Sequence, residues 1–326
     1  MHAHAVNAQL VQWGERLFYP ANRIVRADPA RLTSVRPVTA DWVRARIEAT
    51  VVRRLPQAIV RFTGGGRGLR AIAAHFAYIS RGGALDLEDD RGLLHQGRDG
   101  LRDLVDQWRH AGSRIDPVSQ RREAFNLVLS APPGSDAARQ LDATRAFAHA
   151  TMKGHRFVMA QHTDRPHPHV HLCVRYESRA GVRMTTWNQN HAWRWGYVEA
   201  LRERGIDVDT TSQSIRGGNR RYEPLWQHRA RQEGRLRHPC DLIKSGDDYL
   251  KHRLDAMLAW SSIMDALAAS ENLEDRQLAN AIASFVRDTP FYQDLTGVRE
   301  HSPTLRSPTQ RGPEIEPAPA DRTLTR

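Results

Sequence analysis

Gln161-His162-Thr163-Asp164-Arg165-Pro166-His167-Pro168-His169-Val170-His171-Leu172-Cys173-Val174 is the stretch on which the fold and the chemistry of this chain turn. Successive side chains of a strand point to opposite faces. In a strand over residues 169–176, His169, His171 and Cys173 therefore share one face, and Val170, Leu172 and Val174 the other. In a strand over residues 156–162, Val158, Ala160 and His162 share a face. The loop between them carries Pro166 and Pro168 and is short enough for the two strands to pair as a hairpin. His162 then stands beside His169 and His171. Three converging imidazoles are the ligand count of an open catalytic metal site. A divalent ion with free positions can hold a phosphodiester and offset charge building on the transferring group. Asp164 is placed to accept the second N–H of an imidazole and fix its tautomer. His167 has the same parity but lies between two prolines, in the loop. A surface patch is the plain alternative, but four histidines within ten residues, two of them flanking Val170, favour the metal site.

Working outward, residues 58–62 read as a strand, followed by the loop Thr63-Gly64-Gly65-Gly66-Arg67-Gly68. That loop lacks the Gly-Lys-Ser/Thr ending of a phosphate-binding P-loop and reads as a strand-to-helix turn. Residues 69–80 carry Ile72, Phe76 and Ile79 at helical spacing. A short hairpin is expected over 86–94, a helix over 101–111 and a strand over 124–129. A helix follows over 136–152 with Ser135 available as N-cap, and a further one is expected over 188–204. This alternation predicts an α+β domain over residues 56–212. Residues 1–55 read as an N-terminal helical extension, with helices over 7–19 and 41–55. Residues 213–300 read as a basic and mostly helical region. Its helical stretch over 247–288 offers Leu250, Leu254, Met257, Leu258 and Ile263 as a core stripe. Residues 301–326 hold five prolines and few apolar residues, the composition of a disordered tail.

The chain has 326 residues and a formal net charge of +11, which favours an acidic polymer such as DNA or RNA as partner. Its two cysteines cannot make a disulfide framework, and they offer no paired-cysteine metal spacing. The N-terminus lacks a basic start followed by an apolar run, so a cytoplasmic protein without a secretion leader is expected. No stretch is long and apolar enough to span a bilayer, so membrane insertion is not expected.

The pattern His162-x-Asp164-x-x-x-x-His169-x-His171 resembles the third motif of conjugative relaxases of the MOBP type. That group includes mobilisation nucleases and the T-DNA border nickases, within the His-hydrophobic-His endonuclease superfamily. The segment Ala74-His75-Phe76-Ala77-Tyr78-Ile79-Ser80-Arg81-Gly82-Gly83 resembles their first motif, in which a tyrosine precedes a Ser/Thr-Arg-x-Gly run. Phe125-Asn126-Leu127-Val128-Leu129-Ser130-Ala131-Pro132-Pro133-Gly134 is similar to their second motif. The resemblance implies a central antiparallel sheet flanked by helices. It implies Mg or Mn as metal, and nicking and rejoining of one strand at the transfer origin of a plasmid or mobile element. Tyr78 would be the nucleophile, giving a 5′-phosphotyrosyl intermediate and a free 3′-hydroxyl. Its phenol is a weak nucleophile at its ordinary pKa near 10, so Asp164, a histidine or the metal's field must activate it, and the sequence does not choose between them. Without the histidine motif, Tyr78 would read as a core aromatic. Tyr176 is the next candidate tyrosine, but its parity puts it with Val170 and Leu172.

Arg81 and Ser130 are the DNA-contacting residues that these motifs suggest. Arg216, Arg220, Arg221 and Tyr222 open a basic run, up to Arg237, suited to phosphates and stacked bases. A solvated charged helix is the plain alternative there. The expected partners are single-stranded DNA at a nick site in a supercoiled plasmid, accessory proteins of a relaxosome, and a type IV secretion coupling protein. Two other functions use the same residues or fewer: a rolling-circle initiator or transposase of the same superfamily, and a non-catalytic DNA-binding protein of a relaxosome. The last has no need for Tyr78 or the histidine set. No Walker motif is present, so ATP-driven unwinding is not expected.

Overall fold

The structure is a computed structural model, in which residues 3–18, 38–110, 112–164, 167–185, 190–219, 225–238 and 243–297 are described. In chain order the elements are α1 (Ala3–Phe18), α2 (Ala40–Ile47), a π-helical turn over Glu48–Val52, β1 (Ile59–Gly64) and α3 (Leu69–Ile79). Then come β2 (Leu87–Asp89), β3 (Leu94–His95), α4 (Gly97–His110), β4 (Ala124–Ser130) and α5 (Ala137–Thr151). The chain continues through β5 (His155–His162), β6 (His169–Ser178), α6 (Asn190–Arg202) and α7 (Leu225–Gln232). It closes with α8 (Asp247–Ala268), α9 (Leu273–Arg287) and α10 (Pro290–Thr296).

The histidine segment forms the expected hairpin. β5 and β6 pair antiparallel, with His162 opposite His169 and Ala160 opposite His171. They sit at the centre of a six-stranded antiparallel sheet of order β1-β4-β6-β5-β2-β3. The strand pattern then divides the core. Phe125, Leu127, Leu129, Phe157, Met159, Val170, Leu172 and Val174 point to one face, where Ala143, Phe147, Trp193, Tyr197 and Leu201 of α5 and α6 cover them. Val158, Ala160 and Cys173 point to the other, under Leu69, Ile72, Phe76 and Ile79 of α3 and Leu104 and Trp108 of α4. Burying this apolar surface is the main favourable term, at roughly 25 cal/mol per Å² removed from water.

The loop between β1 and α3 passes over the start of β4. The Gly66 N–H donates to the Ala124 carbonyl, and a Cβ on Gly65 would come within 2.2 Å of that oxygen. The glycines here serve this close crossing. Helix α5 begins differently from the sequence expectation: Asp136, not Ser135, is its N-cap, accepting from the Arg139 N–H at 2.9 Å. The carboxylate is the better acceptor at the positive end of a helix.

The first and last long helices described meet in one layer. Val6, Leu10 and Leu17 of α1, Val43 and Ile47 of α2, Trp260, Ile263 and Leu267 of α8, and Ile282 and Phe285 of α9 form one core cluster. The expected stripe on α8 is corrected here. Leu250, Leu254 and Leu258 are exposed, while Ala256, Ala259, Trp260, Ile263 and Leu267 face α1 and α9. Ile263 does belong to the core, and Met257 packs at its margin. The physical reason is close approach: the small residues on one row admit neighbouring helices, and the leucine row lies across the helix from it.

A buried ionic joint ties this helical layer to the sheet. Arg46 of α2 pairs with the fully buried Asp209 and reaches the Thr210 and Thr211 hydroxyls. Thr50 donates to Asp209 at 2.9 Å, and Arg216 donates to Asp209 at 2.8 Å and to the Leu55 carbonyl at 2.7 Å. The Arg46 guanidinium also lies over the rings of Phe18, Trp42 and Trp195. Among the described residues, no helix is long and apolar enough to cross a membrane.

Candidate active site

Helix α3 carries its apolar stripe, Ile72, Phe76 and Ile79, into the core, and of the two residues between Phe76 and Ile79 the second turns outward. That residue is Tyr78. It is 60 % exposed, so the core reading of its ring is excluded. Its ring stands edge-on to His171 with centroids 5.9 Å apart, and His75, one helical turn earlier, stacks near it at 6.2 Å. No hydrogen bond to the Tyr78 hydroxyl forms among the described residues. Tyr176 is buried on the opposite face against Phe125, with ring centroids 5.0 Å apart.

The turn that ends α3 aims the next residue at the site. Gly82 donates to the Ala77 carbonyl at 2.7 Å and Gly83 to the Ser80 carbonyl at 3.1 Å. Arg81 takes a left-handed backbone conformation with φ 54°. A non-glycine residue held there costs roughly 1–3 kcal/mol, which the surrounding turn must impose. A Cβ on Gly83 would lie 2.7 Å from the Gly97 carbonyl carbon, so the turn cannot relax by substitution there. The result is an ion pair from Arg81 to Asp164 at 2.7 Å, which holds the Asp164 carboxyl below the usual carboxylate range.

His162, His169 and His171 each offer a ring nitrogen, and these atoms lie within 4.8 Å of one another. His162 Nε2 lies 2.8 Å from the Ile79 carbonyl, and His169 Nδ1 lies 3.1 Å from the His167 carbonyl. A carbonyl only accepts, so these nitrogens carry the protons. The lone pair of each ring sits on the other nitrogen, available to a metal. Asp164 does not fix an imidazole as the sequence suggested; backbone carbonyls orient two of the rings, and Arg81 takes the carboxylate. Burial, reinforced by the neighbouring histidines, pushes the His171 pKa down to about 3. Burial pushes His75 down to about 4, and its Nε2 is buried without a hydrogen-bond partner. Both rings are therefore neutral near pH 7. Three imidazoles on one face, two of them fixed by carbonyls, fit a divalent cation with positions left for oxygen ligands.

Ser130 lies opposite His169 on β4, at the margin of this cluster. Arg216 does not: its guanidinium is committed to Asp209 and Leu55 in the joint between layers. The buried carboxylate's negative charge draws this guanidinium into the joint. Arg220, Arg221 and Tyr222 lie outside the described residues, as does the tail over 301–326. Sequence reasoning gave no role to His75. Its spacing, one helical turn before Tyr78, was the available signal. The carbonyls of Ile79 and His167 had no sequence signal, because backbone oxygens are common to every residue.

Residues 84–206 match the family model for the nuclease domain of MobA/VirD2-like relaxases. Tyr78 lies just before the matched segment. The chain is also similar to three T-DNA border endonucleases named VirD2. That of Rhizobium radiobacter is 29% identical over 197 residues, covering 53% of this chain and 46% of the relative. Those of Rhizobium rhizogenes and Agrobacterium fabrum (strain C58) are 28% and 27% identical. They cover 49% and 54% of this chain, and 42% and 45% of their own lengths. The chain thus spans somewhat under half the length of the curated relatives it matches.

Proposed function

We propose, from the premise that residues 84–206 are a MobA/VirD2-like relaxase nuclease domain, that this protein nicks and rejoins one DNA strand at the transfer origin of a plasmid or mobile element. The observation that carries the reading is the exposed Tyr78 ring standing against His171 beside two further imidazoles. In the forward step the Tyr78 Oη bonds to the scissile phosphorus and gives up its proton. The bond from phosphorus to the 3′-oxygen breaks, and that oxygen leaves as a 3′-hydroxyl. The 5′-phosphotyrosyl linkage keeps a phosphodiester, so the reverse attack by a 3′-hydroxyl reseals the strand.

His162, His169 and His171 would hold a divalent ion, Mg or Mn, which supplies charge stabilisation at the transferring phosphate. The residues do the remaining work. α3 presents the phenol on a rigid helix end, and the carbonyls of Ile79 and His167 orient two of the rings. Arg81, three residues on from Tyr78, offers an exposed guanidinium that can meet a phosphate oxygen. Asp164 holds that guanidinium in place and stands among the candidates for the proton of Tyr78. Ser130 offers a hydroxyl on the neighbouring strand. Residues 56–212 form the nuclease domain in this reading, with 1–55 and 213–300 supplying the helical layer docked on it. The substrate is single-stranded DNA exposed at a nick site in a supercoiled plasmid. Relaxosome accessory proteins and a secretion coupling protein are the partners such an intermediate requires, and the cytoplasm is the compartment.

The test is direct. Supercoiled plasmid carrying the region that flanks the protein's own gene is incubated with protein and Mg or Mn, and the reaction is stopped with detergent. Nicked circles with protein attached at a 5′ end are expected. The adduct should vanish with chelator and in Tyr78→Phe. An adduct that persists in Tyr78→Phe would remove the nucleophile assignment.

A further inference from the structure

The histidine face is only half covered. Antiparallel partners share a face, and the register carries His171 across to Val128 on β4 and then to Arg61 on β1. His169 maps in the same way to Ser130 and Ile59. α3 and α4 pack over β5 and the lower part of β6. Ile59, Arg61 and Thr63 on β1 stay exposed, and Val128 and Ser130 on β4 stay half-exposed. An open strip of sheet thus runs from the imidazoles to the β1 edge, about 10 Å away at two strand spacings.

At that edge lies a cleft of about 320 Å³, lined in part by Gln57, Ile59, Arg61, Arg194 and Ser212. Arg46, Arg53, Arg54, Arg145 and Arg204 all pair with carboxylates. Arg61 and Arg194 make no ion pair among the described residues. The Arg194 Nε is buried without a partner, and so is the Ser212 hydroxyl. Burial lowers the Arg194 pKa and no carboxylate opposes it. Asp209 is engaged with Arg46 and Arg216, and Asp207 with Arg53. A half-buried guanidinium without a counter-charge is costly, and an arriving anion would offset that cost. Two guanidiniums and a hydroxyl donor around a small cleft fit a phosphate oxygen set.

We propose that Arg61, Arg194 and Ser212 form a phosphate subsite, separate from the histidine cluster, that seats a backbone phosphodiester of single-stranded DNA laid along the open strip. This rests on the reading of the protein as a DNA-nicking enzyme. The subsite fixes the strand's position across the sheet, so that the bond to be cut lies over the imidazoles and Tyr78.

Binding of the full chain to a fluorescent single-stranded oligonucleotide from the flanking region of its own gene, followed at several salt concentrations, tests it. Arg61→Gln and Arg194→Met should each weaken binding about tenfold. Each should also make the slope of log affinity against log salt shallower by about 0.7, the value of one phosphate contact on a single strand. Arg61 is exposed, so Arg61→Gln keeps the test valid if Arg194→Met fails to fold. A scan of single uncharged methylphosphonates through the oligonucleotide gives the position. The wild type should lose affinity at one linkage away from the scissile one, and Arg61→Gln should be indifferent to the same substitution. The subsite is overturned if the wild type binds and nicks while both variants keep its affinity and salt slope. It is equally overturned if calorimetry finds inorganic phosphate in the cleft, lost in the variants, with oligonucleotide binding unchanged. A wild type that neither binds nor nicks single-stranded DNA would instead sink the nicking reading on which the subsite stands.

Discussion

On one face of the sheet, Phe125, Leu127, Val170, Leu172 and Val174 lie sealed beneath α5 and α6. On the other, the residues that alternate with them include His169 and His171, and the cover stops short, leaving Tyr78, Arg61 and Ser130 accessible. The same strands supply both faces, so the difference arises entirely from side-chain parity and from how far the covering helices reach. A sealed face stabilises by area. A half-open face gives up some of that area and gains a place where a polymer can lie against fixed imidazoles. Substitutions on the two faces should therefore fail in different ways.

The largest effect is expected on the open face. Tyr78→Phe should abolish the covalent DNA adduct, while the unfolding free energy stays within about 0.5 kcal/mol of wild type, because the hydroxyl has no hydrogen-bond partner among the described residues and the ring is exposed. His171→Ala should abolish metal-dependent nicking and leave single-stranded DNA binding in place. Denaturant unfolding and a detergent-stopped nicking assay, run on the same preparations, separate the two readouts. A Tyr78→Phe protein that is strongly destabilised would mean that the hydroxyl makes a stabilising hydrogen bond after all.

The sealed face should behave in reverse. Phe147→Ala removes a buried ring packed edge-on against Tyr197 at 5.8 Å. It should cost about 3–5 kcal/mol in urea or guanidinium unfolding, with nicking per folded molecule retained. The ionic joint at Asp209 extends the contrast. Asp209→Asn leaves Arg46 short of its counter-charge, and breaking a buried pair from one side costs about 3–5 kcal/mol. Burial alone would raise the Asp209 pKa, but Arg46, then Thr211 and Arg216, hold it below its ordinary 3.8. A folded value below the unfolded one stabilises above the unfolded value, and that contribution is lost as pH falls through the folded value. Wild-type stability should accordingly drop below a pH of about 3.8, and the drop should be shallower in Asp209→Asn. Equal acid profiles for the two proteins would show that the joint contributes nothing in solution.

The histidine hairpin and its parity were legible because the strand period is local: two residues per repeat fix His169 and His171 together, whereas the helix pattern by itself reads Tyr78 as a core aromatic and only the structure shows the ring exposed. What sequence could not supply was long-range partnership. Arg216 sits in a basic run that suits DNA, yet it is taken by Asp209. Leu250, Leu254 and Leu258 are the more apolar row of α8, yet the row with Ala256 and Ala259 meets the neighbouring helices because it lets them come close. Asp164 stands near His162 in sequence, yet a positive-φ turn delivers Arg81 to it first. In each case the deciding atom belongs to an element far away along the chain, and no local period carries that information.

The smallest effect lies at that last pair. Arg81 and Asp164 are each 45% exposed, so water screens their attraction, and a double-mutant cycle of Arg81→Ala and Asp164→Asn should give a stability coupling of about 0.2–1 kcal/mol. The same cycle read by nicking rate should look different. If Asp164 acts by holding Arg81 against the scissile phosphate, removing the carboxylate frees the guanidinium, and removing the guanidinium makes the carboxylate irrelevant. The double variant should then nick no more slowly than Arg81→Ala alone. If Asp164 takes the proton from Tyr78 by itself, the two losses should multiply, and the Asp164→Asn rate should rise with pH toward the ordinary pKa of a phenol. A weak pair in stability that is strongly non-additive in rate is what the open face predicts, since there the geometry of a few exposed groups matters more than the area they bury.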